Sequence, residues 1–429
     1  MKGVIGVVKP CNVARLTTHV ADHISHCTNH RTRRLSVKSS WNSDSGQARV
    51  ASHVAKLGHK WREYQGIKNW EGLLDPLDDD LRHEILRYGD FVEAGYRSFE
   101  FDTSSPDYAT CKYTKNTMLD RCGLGGCGYK VTKNLHATCE VQLPGWIDRV
   151  PSWTSTNSSW IGYVAVCNDD KEIARLGRRD VVIAYRGTAT CLEWIENLRA
   201  TLTSLDNDVA PEKKKAMVQK GFLSMYTTAT PTCPSLRDMV REEISRIIET
   251  YGDEPLSVTI TGHSLGAALA TLTAYDITST FDNSPMVTVV SFGGPRVGNR
   301  HFRSQLENSG TRILRIVNAT DVITKVPGFL VDDSNDMTKR RSHASGLTRW
   351  LQKQVDETDW FRYADVGKEL RLSSYASPYL TKSDLATCHD LKTYLHLVDG
   401  FVSSTCPFRT TAKRLLAGAK HEKQQLFVR

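Results

Sequence analysis

The sequence lacks any apolar run long enough to cross a membrane. A spanning helix needs about 20 consecutive apolar residues, and the 429-residue chain has no such run although 40% of its residues are hydrophobic. Glycine, charged and apolar contents are all ordinary, which excludes collagen, extended disorder and a coiled coil. We therefore expect one large or two medium globular domains that are soluble or peripheral to a membrane.

Acidic side chains are scarce in residues 1–50. Eight Lys and Arg stand against only Asp22 and Asp44, so this segment carries +6 of the chain's net charge of +8. It is rich in Arg, Ser and Thr without long periodicity, which is typical of an organelle transit peptide. The apolar run from Gly3 to Val8 is short for a secretory signal. We predict a disordered transit peptide here, and a basic tail without a targeting role is the alternative.

The 11 cysteines lack the paired spacing of a disulfide framework or a zinc site. Their odd number and scattered positions favour a reduced compartment. Within the cysteine-rich segment 111–139, Gly123 to Gly128 matches a G-x-G-x-x-G pattern. No strand precedes it and no helix follows it, so we interpret it as a turn rather than a dinucleotide site. No metal or cofactor is expected.

Apolar periodicity predicts an α/β fold. An amphipathic helix is expected at 78–97, and residues 104–160 are interpreted as loops with short strands. Beyond them, apolar strands alternate with helices. The strands are expected at 161–166, 181–185, 256–260, 286–292 and 313–317, and the helices at 191–202, 235–251 and 265–279. This order indicates a mostly parallel sheet with helices on both faces.

The strongest motif is the G-x-S-x-G sequence from Gly262 to Gly266, with Ser264 at its centre. A predicted strand leads into it and a helix rich in small residues leaves it. This is the context of a nucleophile elbow, in which a sharp turn presents a serine above the sheet edge of an α/β-hydrolase. Glycines on either side leave room for the turn. We predict Ser264 as the nucleophile.

A serine nucleophile needs a histidine base and a carboxylate that orients it. In α/β-hydrolases the carboxylate and then the histidine follow the serine along the chain. Asp321 comes directly after a predicted strand, so we expect it at the same sheet edge. A turn or helix-capping role is the alternative for Asp321. Three other aspartates lie in a polar segment with no strand before it: Asp332, Asp333 and Asp336.

Two histidines compete for the role of base. His396 lies between two leucines of a probable helix, a position that favours packing. His389 stands at the start of this segment beside a polar loop, and seven helical residues would separate the two by roughly 10 Å. We predict His389 as the base. For the oxyanion hole we expect the backbone N–H of Leu265 and a second donor from Thr188, which follows an earlier strand.

Several segments resemble the plant class-I phospholipase A1 group of the class 3 lipase family, in its chloroplast acylhydrolase branch. They are VVIAYRGTAT-CLEWIENLRATL, VTITGHSLGAALATLTAYD, SFGGPRVGNRHF, RIVNATDVITKVPG and HDLKTYLHLVDGF. The resemblance implies hydrolysis of the sn-1 acyl ester of phospholipids, and often galactolipids, at a membrane surface. It also implies a chloroplast location and release of fatty acid that can feed jasmonate synthesis.

The same resemblance implies the roles already given to Ser264, Asp321, His389, Thr188 and Leu265. It places a mobile lid at about 191–210, with Trp194 within it. The resulting domain scheme is a transit peptide at 1–50, a lipase domain at 60–415 and a tail at 416–429. A triacylglycerol or galactolipid lipase and a non-catalytic lipase-like scaffold are the alternatives, and no nucleic-acid partner is expected.

Overall fold

The fold is that of a computed structural model, which describes residues 57–138, 158–188, 201–205, 215–327, 363–377, 380 and 385–400. The predicted transit peptide and C-terminal tail lie outside these residues, as does most of the predicted lid. Within the described part, no helix combines the length and apolar character that a membrane-spanning segment requires.

Eleven strands occur in the described part of the chain. They are β1 (Tyr129–Thr138), β2 (Ser158–Cys167), β3 (Arg179–Tyr185), β4 (Leu202–Ser204), β5 (Met217–Gln219), β6 (Leu256–His263), β7 (Met286–Phe292), β8 (Gly298–Asn299), β9 (Arg312–Asn318), β10 (Tyr363–Ala364) and β11 (Lys368–Leu372). The five strands expected from apolar runs are thus confirmed as β2, β3, β6, β7 and β9.

Ten α-helices accompany these strands in the same described ranges. They are α1 (Trp61–Tyr64), α2 (Asp79–Ser98), α3 (Met118–Arg121), α4 (Asp170–Leu176), α5 (Lys220–Thr227), α6 (Leu236–Tyr251), α7 (Leu265–Thr280), α8 (Arg300–Asn308), α9 (Leu385–His389) and α10 (Leu391–Val398). Helices α2 and α6 begin where predicted because Asp78 and Ser235 cap them, each side chain accepting hydrogen bonds from first-turn N–H groups.

The central sheet has seven strands in the order β1-β2-β3-β6-β7-β9-β11. Strands β3, β6, β7, β9 and β11 pair in parallel, whereas β2 runs antiparallel to both β1 and β3. Parallel pairing brings the carboxyl ends of β3, β6 and β9 to one edge. A second, antiparallel sheet contains β10, β8, β5 and β4 in that order.

Apolar side chains cover both faces of the central sheet. One buried cluster joins the sheet to α5, α6 and α7, and a second joins it to α2 and α10. Helix α7 has twelve buried residues and is apolar around nearly its whole circumference, as expected for a helix enclosed by other elements. The predicted architecture, a mostly parallel sheet flanked by helices, is confirmed.

Two predictions of local structure were wrong. The region interpreted as loops with short strands contains β1, a ten-residue strand that pairs along β2 at the sheet edge. Its solvent-facing positions are polar, which hides a strand from an analysis based on apolar runs. The helix expected at 191–202 does not reach its predicted end, because Leu202 begins β4, which pairs with β5; residues 191–200 lie outside the described ranges.

Candidate active site

Ser264 occupies the sharp turn between β6 and α7. Its φ of 57° and ψ of −123° are strained for a residue with a side chain. The flanking glycines are required by space. A Cβ on Gly262 would collide with the backbone of Gly266, and a Cβ on Gly266 would lie 2.6 Å from the carbonyl oxygens of Tyr185 and Arg186. The strand, turn and helix expected of a nucleophile elbow are therefore present.

Asp321 and His389 meet although 68 residues separate them. Asp321 lies just beyond the end of β9, and His389 is the last residue of α9. The Nδ1 atom of His389 is 2.6 Å from Oδ2 of Asp321 in a buried contact. The other carboxylate oxygen of Asp321 accepts the backbone N–H of Ile323 at 2.9 Å. The carboxylate of Asp321 is thus held in place by Ile323 while Oδ2 faces the imidazole of His389.

The buried side chain of Asn318 ties the loop of Asp321 to the helix of His389. Its amide nitrogen donates to the carbonyl oxygen of Cys388 at 2.9 Å and to the hydroxyl of Ser374 at 2.6 Å. The sequence around Asn318 matches a glycosylation site, but a glycan there would break both hydrogen bonds and require the side chain to leave the interior.

The serine and the histidine lie at the same sheet edge. The ring of His263, the residue before Ser264, has its centroid 4.7 Å from the ring centroid of His389, and its Nε2 lies 2.7 Å from the His389 carbonyl oxygen. The structure thereby brings together the elements that carry Ser264, Asp321 and His389.

The expected oxyanion donors flank the nucleophile. Leu265 is the first residue of α7, where a backbone N–H has no acceptor within the helix and the helix dipole favours negative charge. Thr188 follows Gly187, which lies so close to the elbow that a Cβ there would be 3.1 Å from Cβ of Ser264. The Thr188 hydroxyl is buried and makes no hydrogen bond to the described residues. It is therefore available to an oxyanion.

A buried arginine holds the loop of Gly187 and Thr188, which is termed the oxyanion loop after its predicted role. The guanidinium of Arg186 donates to the carbonyl oxygens of Gly187 at 2.7 Å and Trp160 at 2.8 Å, and it lies 3.5 Å from the ring centroid of Phe99. Burial lowers the pKa of Arg186 to about 10, so it remains a cation at neutral pH. The positive charge of Arg186 thus contacts the backbone of Gly187, the residue before Thr188.

Residues 182–331, which include the elbow, match the family model described as lipase (class 3). The chain is 63% identical to a relative from Arabidopsis thaliana named phospholipase A(1) DAD1, chloroplastic; the match covers 85% of this chain and 82% of the relative. The chain belongs to the class 3 lipase family.

A second Arabidopsis thaliana relative, named galactolipase DONGLE, chloroplastic, is 38% identical over 82% of this class 3 lipase and 72% of its own length. Among solved structures, a nonglycosylated Yarrowia lipolytica LIP2 lipase aligns with a TM-score of 0.40 and 18% identity, over 58% of this chain and 76% of that one. The present lipase is a carboxylic ester hydrolase, and its predicted chloroplast location agrees with the chloroplastic names of both relatives.

His396, the competing histidine of this lipase, is not brought to Asp321. His396 lies on α10, where its Nε2 is 3.0 Å from the hydroxyl of Ser377 and burial lowers its pKa. The aspartates at 332, 333 and 336 lie outside the described residues, and so does Trp194. Among the described residues, no group of three or more His, Cys, Asp and Glu side chains could hold a metal ion.

Three residues around the site were missed in the sequence. The Tyr394 hydroxyl donates to Oδ2 of Asp321 at 2.6 Å, the same oxygen that faces His389. Tyr96 and His263 form a second group beside the elbow. Tyr394 follows His389 by only five residues, which is a usable signal. Tyr96 lies 167 residues before His263, and no local pattern connects them.

Proposed function

We propose that this class 3 lipase hydrolyses the sn-1 acyl ester of phospholipids, phosphatidylcholine among them, and releases a free fatty acid. The observation that carries the proposal is the contact between His389 and Asp321 at the sheet edge that carries the strained Ser264. The 63% identical relative named phospholipase A(1) supports the choice of substrate. The fatty acid can feed jasmonate synthesis.

In the first step the hydroxyl of Ser264 attacks the ester carbonyl while Nε2 of His389 takes its proton. Asp321 holds His389 in the tautomer with the proton on Nδ1, and its charge stabilises the imidazolium that forms. The negative charge on the tetrahedral oxygen is met by the N–H of Leu265 and by Thr188.

The imidazolium of His389 then donates its proton to the departing glycerol oxygen, which leaves an acyl-enzyme on Ser264. A water molecule enters, and His389 again acts as a base and directs the water to the acyl carbonyl. Ser264 is restored as the fatty acid departs. None of these steps requires a metal ion or an organic cofactor.

The substrate is an aggregated lipid, so we propose that the enzyme makes peripheral contact with a membrane around the active site. The segment predicted as the lid, 191–210, would open in that contact. Residues 1–50, predicted as a transit peptide, carry most of the net positive charge. We expect the remaining chain, near +2, to hold lipid mainly through apolar contacts, so that activity depends little on salt.

Ser264→Ala tests the mechanism. Activity on phosphatidylcholine should fall by a few thousandfold or more, because no nucleophile remains. The matched control is Ser304→Ala on the exposed surface of α8, which should retain full activity. Full activity in Ser264→Ala would show that another residue attacks the ester.

The substrate assignment requires lipids with different acyl chains at the two positions. We expect phosphatidylcholine to release the sn-1 chain. A galactolipase activity is the second candidate, favoured by the 38% identical relative of that name. Preferential release from monogalactosyldiacylglycerol or triacylglycerol, measured in the same assay, would replace phospholipid as the main substrate, and release of the sn-2 chain would contradict the positional assignment.

Thr188→Val tests the oxyanion role with little change in shape. Loss of one donor to the oxyanion should lower kcat by about 100- to 1000-fold and leave KM nearly unchanged. Thr188→Ser keeps the hydroxyl and is the control, which should stay within about tenfold of the parent. Equal losses in the two variants would indicate that the hydroxyl of Thr188 does not contact the oxyanion.

A further inference from the structure

The hydroxyl of Tyr96 lies between the oxyanion loop and the nucleophile elbow. Tyr96 is near the end of α2, on an element that contributes none of the proposed catalytic residues. Its oxygen accepts the backbone N–H of Gly187 at 2.9 Å and lies 2.7 Å from Nδ1 of His263. The other ring nitrogen of His263 lies 2.7 Å from the carbonyl oxygen of His389. A continuous chain of hydrogen bonds therefore runs from Gly187 to His389.

The direction of each bond in this chain follows from the donor and acceptor chemistry. The carbonyl oxygen of His389 can only accept, so Nε2 of His263 carries a proton. In the neutral ring Nδ1 is then an acceptor, and it receives the hydroxyl proton of Tyr96. The Tyr96 oxygen keeps a lone pair for the N–H of Gly187. The Nε2–H tautomer of His263 is therefore compatible with all three hydrogen bonds of this chain.

The surroundings of His263 favour its neutral form. Burial, and after it the nearby His389, lower the pKa of His263 well below its ordinary range, although the hydrogen bond to the His389 carbonyl opposes this. The two ring centroids are 4.7 Å apart, so a protonated His263 would repel the imidazolium that His389 forms during the reaction. A neutral His263 leaves the single positive charge to His389.

We propose that Tyr96 is a positioning residue of the active site, which, through His263 held as the neutral Nε2–H tautomer, links the oxyanion loop at Gly187 to the main chain of His389. The proposal rests on the proposed function of Ser264, His389 and Thr188. Tyr96 itself touches neither the substrate nor the reacting atoms in this mechanism.

The packing around Gly187 shows how closely this link is built. A Cβ at Gly187 would collide with the hydroxyl of Tyr96 and would lie 2.8 Å from the carbonyl oxygen of His263. The backbone carbonyl of Gly187 is held by Arg186 on the other side. Both polar backbone groups of Gly187 are therefore fixed by side chains, and Thr188 follows directly.

Tyr96→Phe removes only the hydroxyl and thus the hydrogen bonds to Gly187 and His263. We expect kcat on a soluble ester, p-nitrophenyl butyrate, to fall by about 10- to 100-fold, because small displacements of catalytic groups cost rate on this scale. KM should stay within about twofold. The inhibition constant of a trifluoromethyl ketone, which forms a tetrahedral adduct with serine, should rise by a similar factor. A merely structural tyrosine would not link these two changes.

The matched control is Tyr88→Phe, the same change two turns earlier on α2. The Tyr88 hydroxyl lies 3.1 Å from Oδ2 of Asp180, far along the sheet from the elbow. This variant should unfold at lower temperature and keep the parental kcat. Tyr96→Phe should show the opposite pattern, with a small change in unfolding temperature and a large change in kcat.

A double-mutant cycle with His263→Gln tests the link itself. If both side chains act through one chain of hydrogen bonds, Tyr96→Phe in the His263→Gln background should cost less than threefold in kcat. If the loss of kcat in the double variant equals the product of the losses in the two single variants, the link is overturned.

A kcat within twofold of the parent in Tyr96→Phe would overturn the proposal for Tyr96. That result would leave the proposed function intact as long as Ser264→Ala is inactive. Full activity in Ser264→Ala would instead refute the mechanism on which the proposal rests. The two failures are therefore distinguishable in the same set of assays.

Discussion

Two buried carboxylates, Asp321 and Asp180, lie at opposite ends of the parallel sheet. Asp321 follows the carboxyl end of β9, and Asp180 is the second residue of β3. Both side chains are almost inaccessible to solvent. Their partners differ. The carboxylate of Asp321 contacts neutral or titratable groups, namely the His389 ring, the Tyr394 hydroxyl and the Ile323 N–H.

Asp180 lies among permanent cations and hydroxyl donors. Oδ1 is 3.6 Å from the guanidinium of Arg178, and Oδ2 is 3.4 Å from that of Arg87. It also accepts hydrogen bonds from the hydroxyls of Tyr88, Tyr129, Ser257 and Thr259. Burial raises the pKa of the Asp180 carboxyl, but Arg178 and Arg87, assisted by the hydroxyls, bring the pKa below its ordinary value.

The difference in partners distinguishes a structural carboxylate, Asp180, from the proposed catalytic carboxylate, Asp321. Two arginines already pair with Asp180, so its charge is compensated within the fold and is not directed at His389. In the proposed mechanism, Asp321 faces an imidazole that becomes cationic only during the reaction. Its charge is therefore directed at the transition state. Burial alone does not distinguish the two carboxylates, whereas the identity of their partners does.

The largest expected effect is on the rate of Asp321→Asn. The amide no longer stabilises the imidazolium or selects the His389 tautomer, so kcat should fall by about 10⁴-fold, as in other triads. The shape of the residue is conserved, and thermal unfolding should change little. Steady-state kinetics on p-nitrophenyl butyrate measures the loss. A loss of less than tenfold would contradict a catalytic role for Asp321.

The same substitution at Asp180 should affect stability instead. Asp180→Asn leaves the fully buried guanidinium of Arg178 without the carboxylate that now faces it. Removal of one partner from a buried ion pair costs about 3–5 kcal/mol, which urea unfolding at 25 °C can measure. The kcat of the folded protein should match the parent. Normal stability together with reduced kcat would invalidate the comparison between the two carboxylates.

Local patterns were sufficient for the elements that carry the proposed catalytic residues. The strand before Ser264 is buried throughout and the strand before Asp321 at every position but its first. Both are rich in β-branched or aliphatic residues, which makes them recognisable without any knowledge of their neighbours. His389 was preferred over His396 by its place at a helix end, and the structure puts His389 against Asp321 and His396 against Ser377.

The residues that hold the site depend on distant contacts. Tyr96 joins Gly187 across 91 positions and His263 across 167. Such pairs arise from the packing of α2 on the sheet, which a single sequence does not encode in any short pattern. The strand β1 escaped prediction for a related reason, because an edge strand with polar exposed positions has little apolar content.

The smallest expected effects concern acid stability, where the two ends of the sheet should respond in different pH ranges. His263 has a lowered pKa in the fold, so below the unfolded value of about 6.5 the unfolded chain binds the proton more strongly. The free energy of unfolding should therefore decrease as the pH falls below about 6.5, by at most about 1.4 kcal/mol per pH unit. Asp180 also has a lowered pKa, so its contribution is complete above the unfolded value of about 3.9 and is lost only below it.

Urea unfolding of three proteins between pH 3 and 8 separates these contributions. His263→Gln should flatten the decline in unfolding free energy below pH 6.5, because this variant lacks the titrating imidazole. The decline below pH 4 should remain as in the parent, because Asp180 is unchanged. Asp180→Asn should have the reverse effect. His136 and His396, whose pKa values burial also lowers, remain in all three proteins, so the difference from the parent isolates His263. Identical curves for His263→Gln and the parent between pH 5 and 7 would mean that the His263 ring is protonated equally in the folded and unfolded chains, which its buried contact with His389 argues against.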